Sequence, residues 1–180
     1  MATNSINIID DFFSYENFLD INNFCNRAEY VFGTRDYGNN PPTGMTHSVQ
    51  PNTKMYDLFK SSTQKFVGDH LLFHSTILNC FAPSENPYFH PDFDDKGCIT
   101  FIYYPNTEWD MDWGGETQLF IDGEIRGIIP KPNRMLYFDS TIWHKATPFR
   151  NNYRFTVATK YVVPGVTSPE YYFSEQFKYQ

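Results

Sequence analysis

Residues 98–104 read Cys98-Ile99-Thr100-Phe101-Ile102-Tyr103-Tyr104. β-Branched and aromatic residues fit a pleated surface, so this segment predicts a strand. Alternate residues of a strand face opposite sides. Cys98, Thr100, Ile102 and Tyr104 share one side, and Ile99, Phe101 and Tyr103 share the other. Neither side is polar, so both are expected to be covered. One is expected to look into the interior of a β-sandwich. The other is expected to lie under helices, and the chain offers two of them upstream.

Before that strand, residues 6–13 predict a short strand. Ser14 reads as an N-cap with Glu16 in the first turn. Phe18, Ile21, Phe24, Cys25 and Ala28 then recur at the spacing of a helix with one buried face. A second helix is predicted over 52–73, with Met55, Leu58, Phe59, Phe66 and Val67 as its apolar set. Residues 33–48 hold Gly38, Pro41, Pro42 and Gly44 and predict a loop. A loop of that length in a small domain suits either a lid over a site or a merely disordered connection. From residue 75 onward, strands are predicted at 76–82, 88–92, 98–104, 117–121, 125–129, 135–138, 142–147 and 153–163. Many short strands with no helices between them predict a sandwich or jelly roll. The expected organisation is a single domain over 1–180, helical to about residue 74 and jelly-roll from about 75 to 163. The polar and aromatic tail beyond Val163 is left unassigned.

The 180 residues are enough for one domain with its own core. Aromatics reach 19%, which favours strands. A net charge of −7 argues against a nucleic-acid partner, because such proteins carry a basic face. Cys25, Cys80 and Cys98 form no C-x-x-C pair and are expected as reduced core residues. No basic-then-apolar leader and no long apolar run stand in the sequence. The expectation is a cytoplasmic protein with no membrane contact.

The chemistry concentrates in a few residues. His90 and Asp92 stand two apart in His90-Pro91-Asp92. On extended backbone such residues point the same way and can reach one ion. His144 follows 52 residues later, at the start of another predicted strand. Two His and one carboxylate on one face of an octahedron form the facial triad of Fe(II) oxygenases, with open positions for a 2-oxo acid and O2. Arg154 lies on the next predicted strand and offers a fork for a distal carboxylate. Tyr104, on the interior side of its strand, can add a hydroxyl donor. Taken singly, each has a plainer reading: His144 a satisfied core histidine, Arg154 a surface residue, Tyr104 a core aromatic. Gly114-Gly115-Glu116 reads as a turn entering a strand. Trp109, Trp113 and Trp143 suit either a substrate mouth or the core. His47 is expected to be exposed in its loop, and His70 and His74 to stand off the core strands.

The run GCITFIYYPNTEWDMDWGGETQLF (97–120), followed by RMLYFDSTIWHKATPF (134–149) and YRFTVATKY (153–161), resembles prolyl hydroxylases of the Fe(II)/2-oxoglutarate oxygenase superfamily. It is most similar to the prolyl 4-hydroxylase and oxygen-sensing branches, over about residues 76–163. NIIDDFFSYE (7–16) also resembles their N-terminal entry. The resemblance implies a double-stranded β-helix, a jelly roll flanked by helices. It implies iron on His90, Asp92 and His144, and 2-oxoglutarate on Arg154 with support from Tyr104. It also implies O2 as co-substrate and L-ascorbate as reductant. Three positions differ. Collagen-type enzymes carry Lys where Arg154 stands, and the oxygen-sensing branch carries Arg at Gly97 and Trp at Lys160.

Three functions follow as expectations. The first is hydroxylation of prolyl residues in a peptide or protein, with release of succinate and CO2. Trp109, Trp113, Tyr88 and Phe89 would then offer an aromatic groove for an extended peptide. The second keeps the chemistry and changes the substrate to a free amino acid, another side chain or a small metabolite. The third is a jelly-roll metal-binding protein without catalysis, which would need neither Arg154 nor Tyr104.

Overall fold

The computed structural model of the protein describes residues 5–166 other than 34, 37 and 39. The described chain runs β1 (Asn7–Ile9), α1 (Tyr15–Arg27), β2 (Val31–Phe32), β3 (Met45–Ser48), α2 (Lys54–Gln64), β4 (Leu72–Phe81), β5 (Ile99–Tyr104), β6 (Thr117–Ile121), β7 (Glu124–Ile128), β8 (Arg134–Asp139), β9 (His144–Ala146) and β10 (Arg154–Val162). The strands form one antiparallel sheet in the order β1-β8-β5-β10-β4-β3-β2 and a smaller one in the order β7-β6-β9. This is the expected mainly β architecture, with two α-helices among the described residues.

β5 sits inside the large sheet between β8 and β10. Its two faces divide as the alternation predicts. Ile102 and Tyr104 pack with Leu119, Ile121, Leu136, Phe138 and Ile142 in the interior. Phe101 and Tyr103 pack with Phe18, Ile21, Cys25, Met55 and Phe59 beneath the helices. Burying such apolar side chains is worth about 1.5–3 kcal/mol each, so this double coverage is a principal term holding the fold. All three cysteines are buried and unpaired.

α1 begins where expected. The Ser14 side chain accepts from the Asn17 N–H and caps the first turn. α2 starts at its Thr53 cap but ends nine residues before the predicted stop at 73. After Gln64 the backbone tightens into turns, Phe66 N–H to Thr63 O and Val67 N–H to Gln64 O. Leu72 and Phe73 are then drawn into β4 by pairing with Val162 and Tyr161. Tertiary pairing thus overrides a helical pattern. His74, expected off the core strands, lies on β4, and the anticipated division near residue 74 falls inside that strand.

The predicted loop 33–48 is corrected in its last four residues. Met45–Ser48 is β3, which pairs with β4 on one side and β2 on the other. His47 is half-buried, not exposed: its Nδ1 bonds Glu29 O at 2.8 Å and its ring packs on Phe24. The predicted strand at 88–92 is also corrected. It is extended chain with one antiparallel bridge, His90 to His144. Pro87 and Pro91 remove two of the donors a longer ladder needs.

The N-terminal segment is tied down by Asn133, which sits at φ 58° before β8. Its side-chain amide donates to Phe13 O and its Oδ1 accepts from Phe13 N–H and from the Tyr103 hydroxyl, all near 3 Å.

Candidate metal centre

The single bridge on the 88–92 segment has a chemical consequence. His90 N–H donates to His144 O at 3.1 Å and His144 N–H donates to His90 O at 3.0 Å, which sets the two imidazoles side by side. Their ring centroids are 4.6 Å apart. Asp92, two residues on, is fixed by its N–H to Ser140 O. The result brings one ligand atom from each of His90, Asp92 and His144 within 4.8 Å of one another.

The tautomers follow from the backbone. His90 Nδ1 lies 2.9 Å from Tyr88 O, and His144 Nδ1 lies 3.0 Å from Ile142 O. A carbonyl only accepts, so each Nδ1 carries a proton, and Nε2 is the ring atom each histidine can offer to an ion. Burial pushes the His144 imidazole down to about 4, and the neighbouring His90 adds to this. His144 is therefore neutral near pH 7. Its 3.8 Å approach to Asp92 is then no ion pair but two donors converging. Burial works to raise the Asp92 carboxyl, yet the neighbouring cations, Lys160 foremost, outweigh it and hold the group well below the usual carboxylate range.

Asp92 is held from several sides. The Thr100 hydroxyl donates to Oδ2 at 2.6 Å, and the Ser140 hydroxyl lies 2.8 Å from Thr100 Oγ1. Lys160 Nζ stands 2.5 Å from Oδ1, and both side chains are buried. His74 is the extra residue of a β-bulge, because Lys160 pairs with Ser75 and Tyr161 with Phe73. Its ring packs edge-on against Phe93, and burial, then Lys160, pushes its basicity down. Sequence reasoning missed Thr100, Ser140 and His74 and gave Lys160 no contact with the triad. The one available signal was parity, since Lys160 and Arg154 are six apart on one strand and so share a side.

Arg154 lies at the other end of that side of β10, with Thr156 and Ala158 between. It is 2% exposed. Its Nε donates to Gly115 O at 2.8 Å and its Nη2 to Thr117 Oγ1 at 2.9 Å. The Tyr104 hydroxyl donates to the same Thr117 oxygen at 2.7 Å, and the guanidinium lies over the Tyr104 ring. These acceptors are neutral, and among the described residues no carboxylate lies within ion-pair distance of Arg154. A buried cation with neutral partners is costly and suits an incoming anion.

Gly115, at φ 79°, makes the turn that brings this carbonyl in. A Cβ there would meet Trp109 at 2.8 Å and Arg154 Cδ at 3.4 Å. Trp109 packs on Trp113 and Phe149 and donates to Gly114 O, so it braces the turn. Tyr88 and Trp143, beside the two histidines, are about two-fifths exposed.

Residues 75–162 match the family model of the 2OG-Fe(II) oxygenase superfamily. No curated protein matches the sequence. Among solved structures, the chain is similar to a prolyl-4-hydroxylase of Pseudomonas putida, with TM-score 0.73 and 16% identity, covering 89% of this chain and 94% of that one. It is similar to a Trichoplax adhaerens prolyl hydroxylase in complex with a hypoxia inducible factor peptide fragment, with TM-score 0.68 and 19% identity over 88% and 84%. It is also similar to HygX of Streptomyces hygroscopicus with nickel, 2-oxoglutarate and hygromycin B bound, with TM-score 0.73 and 9% identity over 92% and 86%. At these identities the likeness establishes the fold. Among the described residues no helix is long and apolar enough to cross a membrane.

Proposed function

We propose that this chain, whose residues 75–162 belong to the 2OG-Fe(II) oxygenase superfamily, is an Fe(II)- and 2-oxoglutarate-dependent dioxygenase that hydroxylates prolyl residues in peptides or proteins. The observation that carries the reading is one interior side of β10, with the His-Asp-His cluster beside its Lys160 end and the buried, anion-ready Arg154 at the other.

Two imidazoles and one carboxylate are a donor set suited to Fe(II), so His90 Nε2, Asp92 and His144 Nε2 would hold the iron. Arg154, with Tyr104 beside it, would hold the distal carboxylate of 2-oxoglutarate. When bound, the iron supplies O2-dependent oxidation in which 2-oxoglutarate leaves as succinate and CO2 and the second oxygen atom enters the substrate C–H bond. The chain contributes the surroundings. The Tyr88 and Ile142 carbonyls fix which imidazole nitrogen carries the proton. Thr100 and Lys160 fix the carboxylate. Ile102, Leu119 and Leu136 make the interior apolar, which strengthens the Arg154 attraction for an anion. Ascorbate serves as the external reductant.

The prolyl part rests on the family resemblance and on the two prolyl hydroxylase neighbours, one of them bound to a peptide. The exposed Tyr88 and Trp143 flanking the histidines suit an extended prolyl peptide. A second reading, the same chemistry on a small polar metabolite, draws on the HygX likeness and on the buried ammonium of Lys160 where the oxygen-sensing branch carries Trp.

A panel of prolyl peptides incubated with Fe(II), 2-oxoglutarate and ascorbate separates these. The expected result is succinate together with a gain of one oxygen atom on proline. Succinate without any proline product would remove the prolyl part, and no succinate under any condition would remove the oxygenase reading.

A further inference from the structure

Asp92 is the sole carboxylate of the triad, and each of its oxygens has a close protein partner. Thr100 donates to Oδ2 and Lys160 Nζ sits on Oδ1. Lys160 is itself buried, on a strand every residue of which is buried. A lysine in such a place has a cost in desolvation that only a close anion offsets. Asp92 supplies such an anion at 2.5 Å. The same ammonium is a fixed positive charge beside the position that a divalent cation must take, and like charges at this range in a buried setting repel strongly.

We infer that Lys160 is a resident counter-ion of the triad: it neutralises Asp92 while no metal is bound, keeps the ion-free protein folded, and lowers the affinity of the site for divalent metal. This rests on the metal reading of His90, Asp92 and His144. It assigns Lys160 a positioning role, acting through Asp92. Neither effect requires Lys160 to touch substrate. Metal uptake becomes an exchange, in which the ion takes over neutralisation of Asp92 from Lys160. An exchange of this kind predicts that deleting the ammonium has opposite effects on the two states. The ion-free state loses stability because a buried carboxylate is left uncompensated. The metal-bound state loses a repulsion.

The test is Mn(II) binding to the metal-free full chain by calorimetry at pH 8, with thermal unfolding of the same samples, for wild type, Lys160→Met and Lys160→Arg. Lys160→Met is expected to bind Mn(II) about tenfold or more tightly than wild type. It is expected to melt lower than wild type without metal and to gain more from Mn(II). Lys160→Arg, which keeps the charge, is expected to stay near wild type in affinity. Lys160→Met binding Mn(II) equally or more weakly overturns the inference. If Lys160→Met does not fold, the double variant Asp92→Asn/Lys160→Met decides the counter-ion role. Recovery of folding when both charges are gone supports it, and failure to recover overturns it. If all three proteins fold and none takes up Mn(II), the metal reading falls and metal exchange at Asp92 is overturned with it.

Discussion

At the residue scale, the Arg154 end of the site gives the sharpest expectation. The guanidinium is buried and its hydrogen bonds run to Gly115 O and Thr117 Oγ1. Arg154→Ala is therefore expected to weaken 2-oxoglutarate binding by about 2–5 kcal/mol, because the incoming carboxylate would be left without its cation. Mn(II) affinity is expected to change far less. Calorimetry on Mn(II)-loaded protein checks both, and equal 2-oxoglutarate affinity in variant and parent would move the diacid site elsewhere. That His90, Asp92 and His144 would come together, and Arg154 and Tyr104 likewise, was legible in the sequence from residue type, spacing and the alternation of extended chain. Thr117, which gathers Arg154 and Tyr104 onto one oxygen, was not, since a threonine in a strand is ordinary. Lys160 was hidden for a related reason. A lysine on a strand reads as solvent-facing, and only the register of β10 against β4 and β5 reveals that it is buried.

At the element scale, Asn133 carries the connection between the N-terminal segment and the β5–β8 pair. Asn133→Ala removes three hydrogen bonds at once and leaves the buried Phe13 N–H and C=O unsatisfied. A loss of about 2–4 kcal/mol is expected in denaturant unfolding. A change below about 0.5 kcal/mol would show that solvent replaces the side chain. The end of β1 is held by charge. Arg134 binds Asp10 through two nitrogens and Lys131 through one. The hydrogen bond from Arg134, then that from Lys131, lowers the Asp10 carboxyl from 3.8 to about 2. The folded value lies below the unfolded one, so the stabilisation is present above pH 3.8 and is lost as pH falls through about 2. Asp10 is partly exposed, so Asp10→Asn is expected to cost at most about 1 kcal/mol at neutral pH. The gap between wild type and variant is expected to close in acid, and a gap that persists at pH 2 would assign the effect to something other than charge. Elements bounded by local chemistry, such as α1 with its Ser14 cap and β6 at residues 117–121, stood clearly in the sequence. Elements bounded by distant partners did not. Residues 72–73 of the predicted helix pair with β10 as part of β4, and β3 forms inside a predicted loop by pairing with β4, and no local pattern records either partner.

At the scale of the whole molecule, two layers of side chains give β5 its place, helices on one side and the small sheet on the other. The double apolar alternation of residues 98–104 contained that arrangement in advance. The site lies within the inner layer, where β9 and the 88–92 segment meet β10, so the same burial that stabilises the fold also keeps His144 neutral and Arg154 in need of an anion. His90, Asp92 and His144 are expected to hold one divalent ion, with Arg154 holding 2-oxoglutarate beside it. Anomalous diffraction from crystals grown with Mn(II) and 2-oxoglutarate tests it most directly. The account predicts one anomalous peak at about 2.0–2.2 Å from each of the three ligand atoms, with the distal carboxylate of 2-oxoglutarate on Arg154. A peak elsewhere, or a triad without metal while Arg154 keeps only Gly115 and Thr117, would contradict it.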